Sequence, residues 1–288
     1  PAIGMTYFFV GGSQRSGTTV LQSVLCADAE TNPMIHEASY FRAMIEAYQR
    51  GKAIVDSQAG HYFTDRNDLC RFNASWVEAF LKMTLERYPP AKHLVLKEPH
   101  LTILFPEIFE LAPDSRFIVI VHDPRDVIAS MLTVGERLAQ QGVESKFAKR
   151  DVAELVNVYK SFYAPCMNYR SEDFRQQILL LRYEQLVTEP LVVFDKLRDF
   201  TGLKLENADP SKGWKLEGAT PSDKAQESPA SDTKLAPVDD AWGTSLHGNA
   251  LSPESIGRYQ QVLSAEEIQT IETEGADAFR LFNYPVHT

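Results

Sequence analysis

Gly12-Ser13-Gln14-Arg15-Ser16-Gly17-Thr18-Thr19 follows directly on the apolar run Tyr7-Phe8-Phe9-Val10, and this junction decides the fold. The octet has the frame of a phosphate-binding loop, G-x-x-x-x-G-K-[ST], with Thr18 where that motif carries lysine. Backbone N–H groups that open a helix cradle an anion whatever side chains surround them. The motif's lysine is what reaches the outer phosphates of a nucleoside triphosphate. The loop is therefore expected to hold a phosphate while being poorly equipped for ATP or GTP. Ser13, Gln14, Arg15, Ser16, Gly17, Thr18 and Thr19 are its candidate contacts, and Arg15 is the nearest cation. A plain turn with an N-cap is the competing reading. Two glycines, four hydroxyl residues and an arginine within eight positions favour the anion.

Outward from this loop, strands alternate with helices, the mark of a parallel sheet with crossovers. Residues 7–10 predict a buried strand and 18–27 a helix with Val20, Leu21, Val24 and Leu25 on its apolar face. Residues 76–86 are helical by periodicity, with Pro89-Pro90 ending the helix. Short strands are expected at 93–96, ending at Lys97, and at 178–181, followed by Arg182-Tyr183-Glu184. The strongest strand signal is 117–121, which ends at His122-Asp123-Pro124. Ligands of open α/β sheets bind beyond the carboxyl ends of the strands, so one crevice is implied. The expected fold class is α/β: a three-layer sandwich with a central parallel β-sheet flanked by helices, like that of P-loop NTPases. One domain is expected over 1–288.

From about 206 to 253 the apolar periodicity disappears and Ala, Pro, Ser, Asp, Lys and Gly dominate. A disordered linker and an ordered lid are the two readings, and Trp214 and Trp242 favour the lid. A last helix is expected over 265–281, with Ser264 as cap and Glu267 as its capping-box partner.

The chain of 288 residues is 44% hydrophobic and 10% aromatic, enough for one sizeable core. Its net charge of −10 argues against duplex nucleic acid or long polyanionic glycans as partners. Any basic group that meets an anionic ligand must then be local. Cys26, Cys70 and Cys166 are odd in number and widely spaced, which speaks for a reducing, cytoplasmic setting. No signal-peptide pattern or 18-residue apolar span is present. Because Pro1 lies almost on the first strand, removal of an upstream segment stays open.

Four stretches, in order, resemble landmarks of the sulfotransferases that use 3′-phosphoadenosine 5′-phosphosulfate (PAPS), in particular their bacterial and tyrosylprotein-type members. Arg15-Ser16-Gly17-Thr18-Thr19 after the first strand is similar to the family's 5′-phosphosulfate loop. FIVIVHDPRDVIAS at 117–130 resembles its 3′-phosphate strand and helix, V-R-[DN]-P-R-D-…-S. Leu181-Arg182-Tyr183-Glu184-Gln185-Leu186, with Glu189-Pro190 behind it, resembles R-Y-E-D-L…D-P. Ser255-Ile256-Gly257-Arg258-Tyr259 resembles S-x-G-R-[WY].

The resemblance implies PAPS as sulfuryl donor, 3′,5′-phosphoadenosine (PAP) as product and no metal requirement. Positioned cations and backbone N–H groups then do most of the catalysis, because charge develops on the departing 5′-phosphate oxygen. It implies Arg15 at that phosphate, and Lys97, in Leu96-Lys97-Glu98-Pro99, at the bridging or sulfuryl oxygens. The general base that takes the acceptor's proton is Glu37 or His100. Glu37 lies just after the first helix, where tyrosylprotein-type relatives place a glutamate. His100 falls one residue from the spacing at which cytosolic relatives place a histidine. His122, Arg125, Ser130, Tyr183, Ser255, Gly257 and Arg258 complete the cofactor-binding candidates, with Tyr183 near the adenine. His122 stands eight residues before Ser130, where the family usually has arginine. Imidazole donates a hydrogen bond but not the bidentate fork of a guanidinium. Either Arg125 or Arg258 compensates, or the 3′-phosphate is held less firmly.

Two other readings remain. A nucleotide kinase or NTPase would use Asp123 as a Mg²⁺ ligand, but lacks the lysine at position 18. A non-catalytic module would keep the anion loop for a regulatory nucleotide, and the joint presence of Arg15, Lys97 and Glu37 argues for catalysis instead. The acceptor implied is a hydroxyl on a small molecule, lipid, sugar, or carrier- or peptide-bound group. Tyr40, Phe41, Tyr62, Phe63 and Trp214 either line an apolar acceptor pocket or belong to the core.

Overall fold

Four apolar runs become parallel strands; three are largely buried, whereas the fourth, at the edge of the sheet, is only partly covered. The structure is a computed structural model describing residues 5–213, 242 and 248–287. Its strands are β1 (Thr6–Gly11), β2 (His93–Lys97), β3 (Arg116–Val121) and β4 (Ile178–Arg182). They form one sheet in the order β2-β1-β3-β4 with every pairing parallel. Phe8, Phe9 and Val10 of β1 and the run Phe117 to Val121 of β3 are wholly buried. All four strands fall where the apolar runs predict them.

Connections from β1 lead first to one side, to β2, and then to the other, to β3. The order therefore reverses at β1, and the crevice that such a reversal creates opens at the carboxyl end of that strand. The loop at Gly12 leaves from this point.

The helices that matter here run, in chain order, as α1 (Thr18–Leu25), α2 (Ser39–Ile54), α3 (Arg66–Leu85), α4 (Phe105–Leu111), α5 (Pro124–Gln140), α6 (Val152–Asn168), α7 (Glu172–Gln176), α8 (Tyr183–Thr188), α9 (Pro190–Thr201), α10 (Tyr259–Val262), α11 (Ala265–Glu274) and α12 (Ala276–Leu281). α3 starts ten residues before the predicted 76–86, because Asp65 caps it by accepting from the Asp68 N–H. The helix predicted over 265–281 is two helices, α11 and α12, meeting at Gly275. Glycine is a weak helix former, and a Cβ at Gly275 would lie 2.6 Å from the Ile271 carbonyl oxygen. The expected capping box is present: Glu267 N–H donates to Ser264 Oγ, and Ser264 N–H donates to Glu267 Oε2. Most of the 206–253 stretch, with Trp214, lies outside the described residues. Its ends are 3₁₀ turns at Leu205–Asn207 and Pro253–Ser255. Among the described residues no helix is long and apolar enough to cross a membrane.

The chain divides into two compact units, Pro1–His122 with Tyr159–Asp209, and Asp123–Val158 with Pro210–Thr288. The first holds the sheet. Its core is an aromatic stack in which Phe9 lies 5.4 Å from Phe41 of α2 and 5.7 Å from Phe117 of β3, with Phe105 4.8 Å from Phe117. The second is helical, with α5 packed against α10 and α11.

Between α1 and α2 the chain runs beside β2 and borrows its hydrogen bonds. Asn32 N–H donates to the His93 carbonyl, and the Asn32 side chain accepts from Val95 N–H (2.6 Å) and donates to the Val95 carbonyl (3.2 Å). Six residues later, Ala38 N–H donates to the Lys97 carbonyl at 3.0 Å. Gln22 Nε2, from α1, donates to the Ile35 carbonyl between them. Fully buried Asn32 thus fixes the segment that carries Glu37. Asn32→Ala should destabilise the protein by about 2–3 kcal/mol in urea denaturation, because two backbone groups of Val95 lose their partners.

Candidate active site

Gly12 turns the chain out of β1 with φ +146°, and a Cβ there would lie 2.4 Å from the Ile120 carbonyl oxygen. Both the backbone angle and the space restrict this position to glycine. The root of the loop is then pinned by hydroxyl groups. Gly12 N–H donates to Thr102 Oγ1 (2.7 Å) and Ser13 N–H to the Tyr163 hydroxyl (3.0 Å), which itself donates to the Ile120 carbonyl (3.2 Å). Burial pushes the Tyr163 phenol well up, so it stays protonated and can serve both partners. Ser16 Oγ closes the loop on the Ser13 carbonyl at 2.6 Å.

The loop ends at Gly17, the N-cap of α1, which offers no capping side chain; no acidic residue stands in the first turn. The first intrahelical bond is from Leu21 N–H to the Gly17 carbonyl, so the N–H groups of Thr18, Thr19 and Val20 have no acceptor within the helix. An N-terminus open to an anion and free of competing carboxylate suits a phosphate. Half-buried Arg15 sits in the loop with φ +69°.

Lys97 ends β2 in register with Val10 of β1, two residues before Gly12. Its side chain is only 6% exposed, and Nζ lies 2.8 Å from Glu37 Oε1, which is 49% exposed. The two residues are 60 apart in sequence and meet because the Asn32–Ala38 segment is stitched along β2. His100 takes a different partner. Its Nδ1 lies 3.0 Å from Oε1 of buried Glu98, whose other oxygen faces Arg42 Nε at 3.6 Å, and its ring packs 5.2 Å from Phe162.

At the end of β3, His122 is buried with Nδ1 2.8 Å from Glu184 Oε1 and its ring 4.4 Å from Tyr183. Its carbonyl accepts from the Tyr159 hydroxyl at 3.0 Å. The Tyr183 ring also covers Gly17, where an added Cβ would lie 2.4 Å from Cδ2. The sheet-bearing unit therefore gathers the loop, His122 and Tyr183 at one place. Of the aromatic candidates, Phe41 is core, whereas Tyr40 and Tyr62 are exposed.

In the helical unit Arg125 is nearly inaccessible. Nε and Nη2 donate to the two oxygens of Asp123, Nη1 donates to Glu272 Oε1 and lies 2.8 Å from His287 Nδ1, and the guanidinium lies over the Tyr259 and Phe279 rings. Burial alone would depress its pKa, but Asp123 and Glu272 raise it above the usual arginine value. Arg258 is exposed and forms no ion pair among the described residues. Ser130 lies half-buried on α5, and Ser255 and Gly257 flank Ile256 before α10.

A model of the sulfotransferase family matches residues 8–207. The chain belongs to the sulfotransferase family. It is 26% identical over 204 residues to protein-tyrosine sulfotransferase 2 of Gallus gallus, covering 69% of this chain and 52% of that protein. It is 29% identical over 126 residues to carbohydrate sulfotransferase 5 of Mus musculus, covering 39% and 32%. The chain thus spans about half the length, or less, of these relatives. Among solved structures it is similar to the sulfotransferase domain from the curacin biosynthetic pathway, with TM-score 0.62 and 17% identity over 99% of both chains. It is also similar to the sulfotransferase domain of the Synechococcus PCC 7002 olefin synthase, with TM-score 0.56 and 17% identity over 100% of this chain and 98% of that one. At these identities the likeness is one of fold, and the fold of this sulfotransferase-family chain is the expected P-loop-like α/β class.

Several residues that shape the site escaped the sequence reading. Glu184 and Asp126 lie inside quoted motifs without a role of their own, Glu98 adjoins Lys97, and Tyr163 lies on a helix that was not predicted. Burial alone would raise the pKa of Glu272, but hydrogen bonds from His287 and Arg125 outweigh it and hold the carboxyl below its ordinary range. A depressed carboxyl contributes stability above its unfolded pKa and loses it as pH falls through the folded one. Glu272→Gln should therefore cost about 1–3 kcal/mol at pH 7 in urea denaturation, and the gap to wild type should close towards pH 3.

Proposed function

We propose that this chain transfers the sulfuryl group of PAPS to an acceptor hydroxyl. The observation that carries this reading is the contact of Lys97 with Glu37, a cation and a base held together one strand from an anion loop. When bound, PAPS supplies an activated sulfuryl group, with PAP as what remains. The N–H groups of Thr18 and Thr19, together with Arg15 and the Ser13–Gly17 loop, hold and neutralise the 5′-phosphate. Lys97 balances charge on the oxygens between that phosphate and the acceptor. Glu37 takes the acceptor's proton, and its place beside Lys97 sets it where the hydroxyl must arrive. His100 is the second candidate base, with one ring nitrogen engaged by Glu98. His122 and Tyr183 support the adenosine side of the donor. Of the two arginines of the helical unit, Arg125 is enclosed by carboxylates and Arg258 is exposed, so Arg258 is the one left open to an anion.

Lys97 and Arg15 fill the charge-neutralising role a divalent metal would have, so we assign no metal. The acceptor is a small molecule, lipid, sugar, or carrier- or peptide-bound hydroxyl, and the net charge of −10 supports an acceptor other than nucleic acid. Three free cysteines support a cytoplasmic setting. We treat residues 1–288 as one domain of this family.

Calorimetry in EDTA should find tight binding of PAP and much weaker binding of ATP. Absence of PAP binding, or preference for Mg-ATP, would mean that the loop does not serve PAPS. Followed by PAP release against a panel of phenols, alcohols, sugars and hydroxyl peptides, Lys97→Ala should lower turnover about 100-fold or more. Its affinity for PAP should stay within about threefold of wild type. Glu37→Gln should lower turnover by roughly 10²–10⁴ and His100→Ala by less. The reverse order would move the base to His100.

A further inference from the structure

α3 carries two apolar faces, and the core uses one of them. Leu69, Val77, Leu81 and Leu85 are buried where α3 packs on α2, α4 and β2. Phe72, Trp76 and Met83 are instead 58%, 46% and 57% exposed. At about 100° per residue these three fall within about 40° of one another, on the flank beside the buried stripe. A surface helix ordinarily turns polar residues to water outside its core face, so three large apolar side chains on one line are a contact surface in waiting. The line continues beyond them. Phe80, one turn after Trp76, lies 5.8 Å from the exposed Tyr40 ring and 5.5 Å from buried Phe41. At the other end Phe72 lies 5.5 Å from Phe63. From Phe72 to Phe80 the helix advances about 12 Å. Tyr40 stands in the first turn of α2, three residues after Glu37. All of these residues belong to the sheet-bearing unit.

We infer that this aromatic track seats the body of the acceptor, an uncharged and extended apolar group whose hydroxyl reaches Glu37. The inference rests on the proposed sulfuryl transfer and names its acceptor class. Continuity with the site carries it, because the track starts at Tyr40, beside the half-exposed carboxylate that meets Lys97. Its composition sets the chemistry. Of Tyr40, Phe72, Trp76, Phe80 and Met83, only Tyr40 and Trp76 carry a hydrogen-bonding group, too few to satisfy the hydroxyls of a saccharide. Arg42, on the same turn of α2, faces Glu46 and Glu98, which speaks against an acidic acceptor. An anionic membrane surface is the wrong partner for a chain of net charge −10. An alkyl or aryl body laid along α3 instead covers the exposed rings and gains with each methylene it adds.

The test follows PAP release by the full chain with the primary alcohols from 1-propanol to 1-decanol. kcat/KM should rise about two- to fourfold per added methylene until the chain spans the track. Trp76→Ser and Phe72→Ser should each cut that gradient by about half or more, through KM rather than kcat. Leu191→Ser, at an exposed apolar residue of α9 off the track, should keep it. A second readout needs no turnover. With Trp214 and Trp242 replaced by phenylalanine, the emission of Trp76 should shift to the blue as 1-octanol is added, and not as glucose is added. A gradient that survives in both serine variants, or glucose preferred over octanol, would overturn the inference. So would a shift with phosphatidylcholine vesicles but not with octanol, or a dimer that Trp76→Ser dissociates, since a membrane or a second copy would then cover the track. Wild-type protein that binds no PAP would overturn the donor reading instead, and the octanol shift alone would then decide whether the track takes an apolar ligand.

Discussion

Everything at this site follows from how closely the chain must turn past β3 as it leaves β1. Gly12 passes the Ile120 carbonyl with no room for a side chain, and that approach sets the direction in which α1 begins. Once the turn is made, Thr102 and Tyr163 satisfy the two N–H groups at the root of the loop. The donors left over include those of the first turn of α1. Under the proposed function, these backbone donors would meet the 5′-phosphate, with Arg15 and Lys97 adding charge around them.

Charge is handled by enclosure in some places and by exposure in others. Glu98 is buried and answered by Arg42 and His100, and Arg125 is wrapped in carboxylates and aromatic rings. These groups hold the scaffold. Lys97 is also buried, but its partner Glu37 is half exposed, so the pair presents a carboxylate outward and a cation behind it. Such an arrangement keeps a carboxylate accessible without leaving the lysine's charge uncompensated in a poorly solvated place.

The sheet was legible because parallel strands buried on both faces read as continuous apolar runs, as at 117–121. The loop was legible because glycine and hydroxyl spacing survives as local sequence. α2 was not read from the sequence, although the spacing of Phe41, Met44, Ile45 and Tyr48, which form its buried face, encodes it. What spacing does not carry is long-range partnership. Arg125 reads as a free cation until Glu272, 147 residues later, and His287, 162 residues later, are seen to close on it. Likewise the contact of Glu37 with Lys97 depends on Asn32, an ordinary polar residue in a stretch with no periodicity. The break at Gly275 was masked by apolar spacing that continues across it.

The stitching of the Asn32–Ala38 segment has a consequence for solubility. β2 is the outermost strand on its side of the sheet, and an uncovered outer strand presents a row of hydrogen-bonding groups to any other extended chain. Asn32 and Ala38 occupy that row at Val95 and Lys97. The same residues that aim Glu37 therefore guard the sheet against adding a foreign strand. Loosening this segment would invite self-association as well as misplace the carboxylate, which couples the Glu37–Lys97 contact to resistance to aggregation.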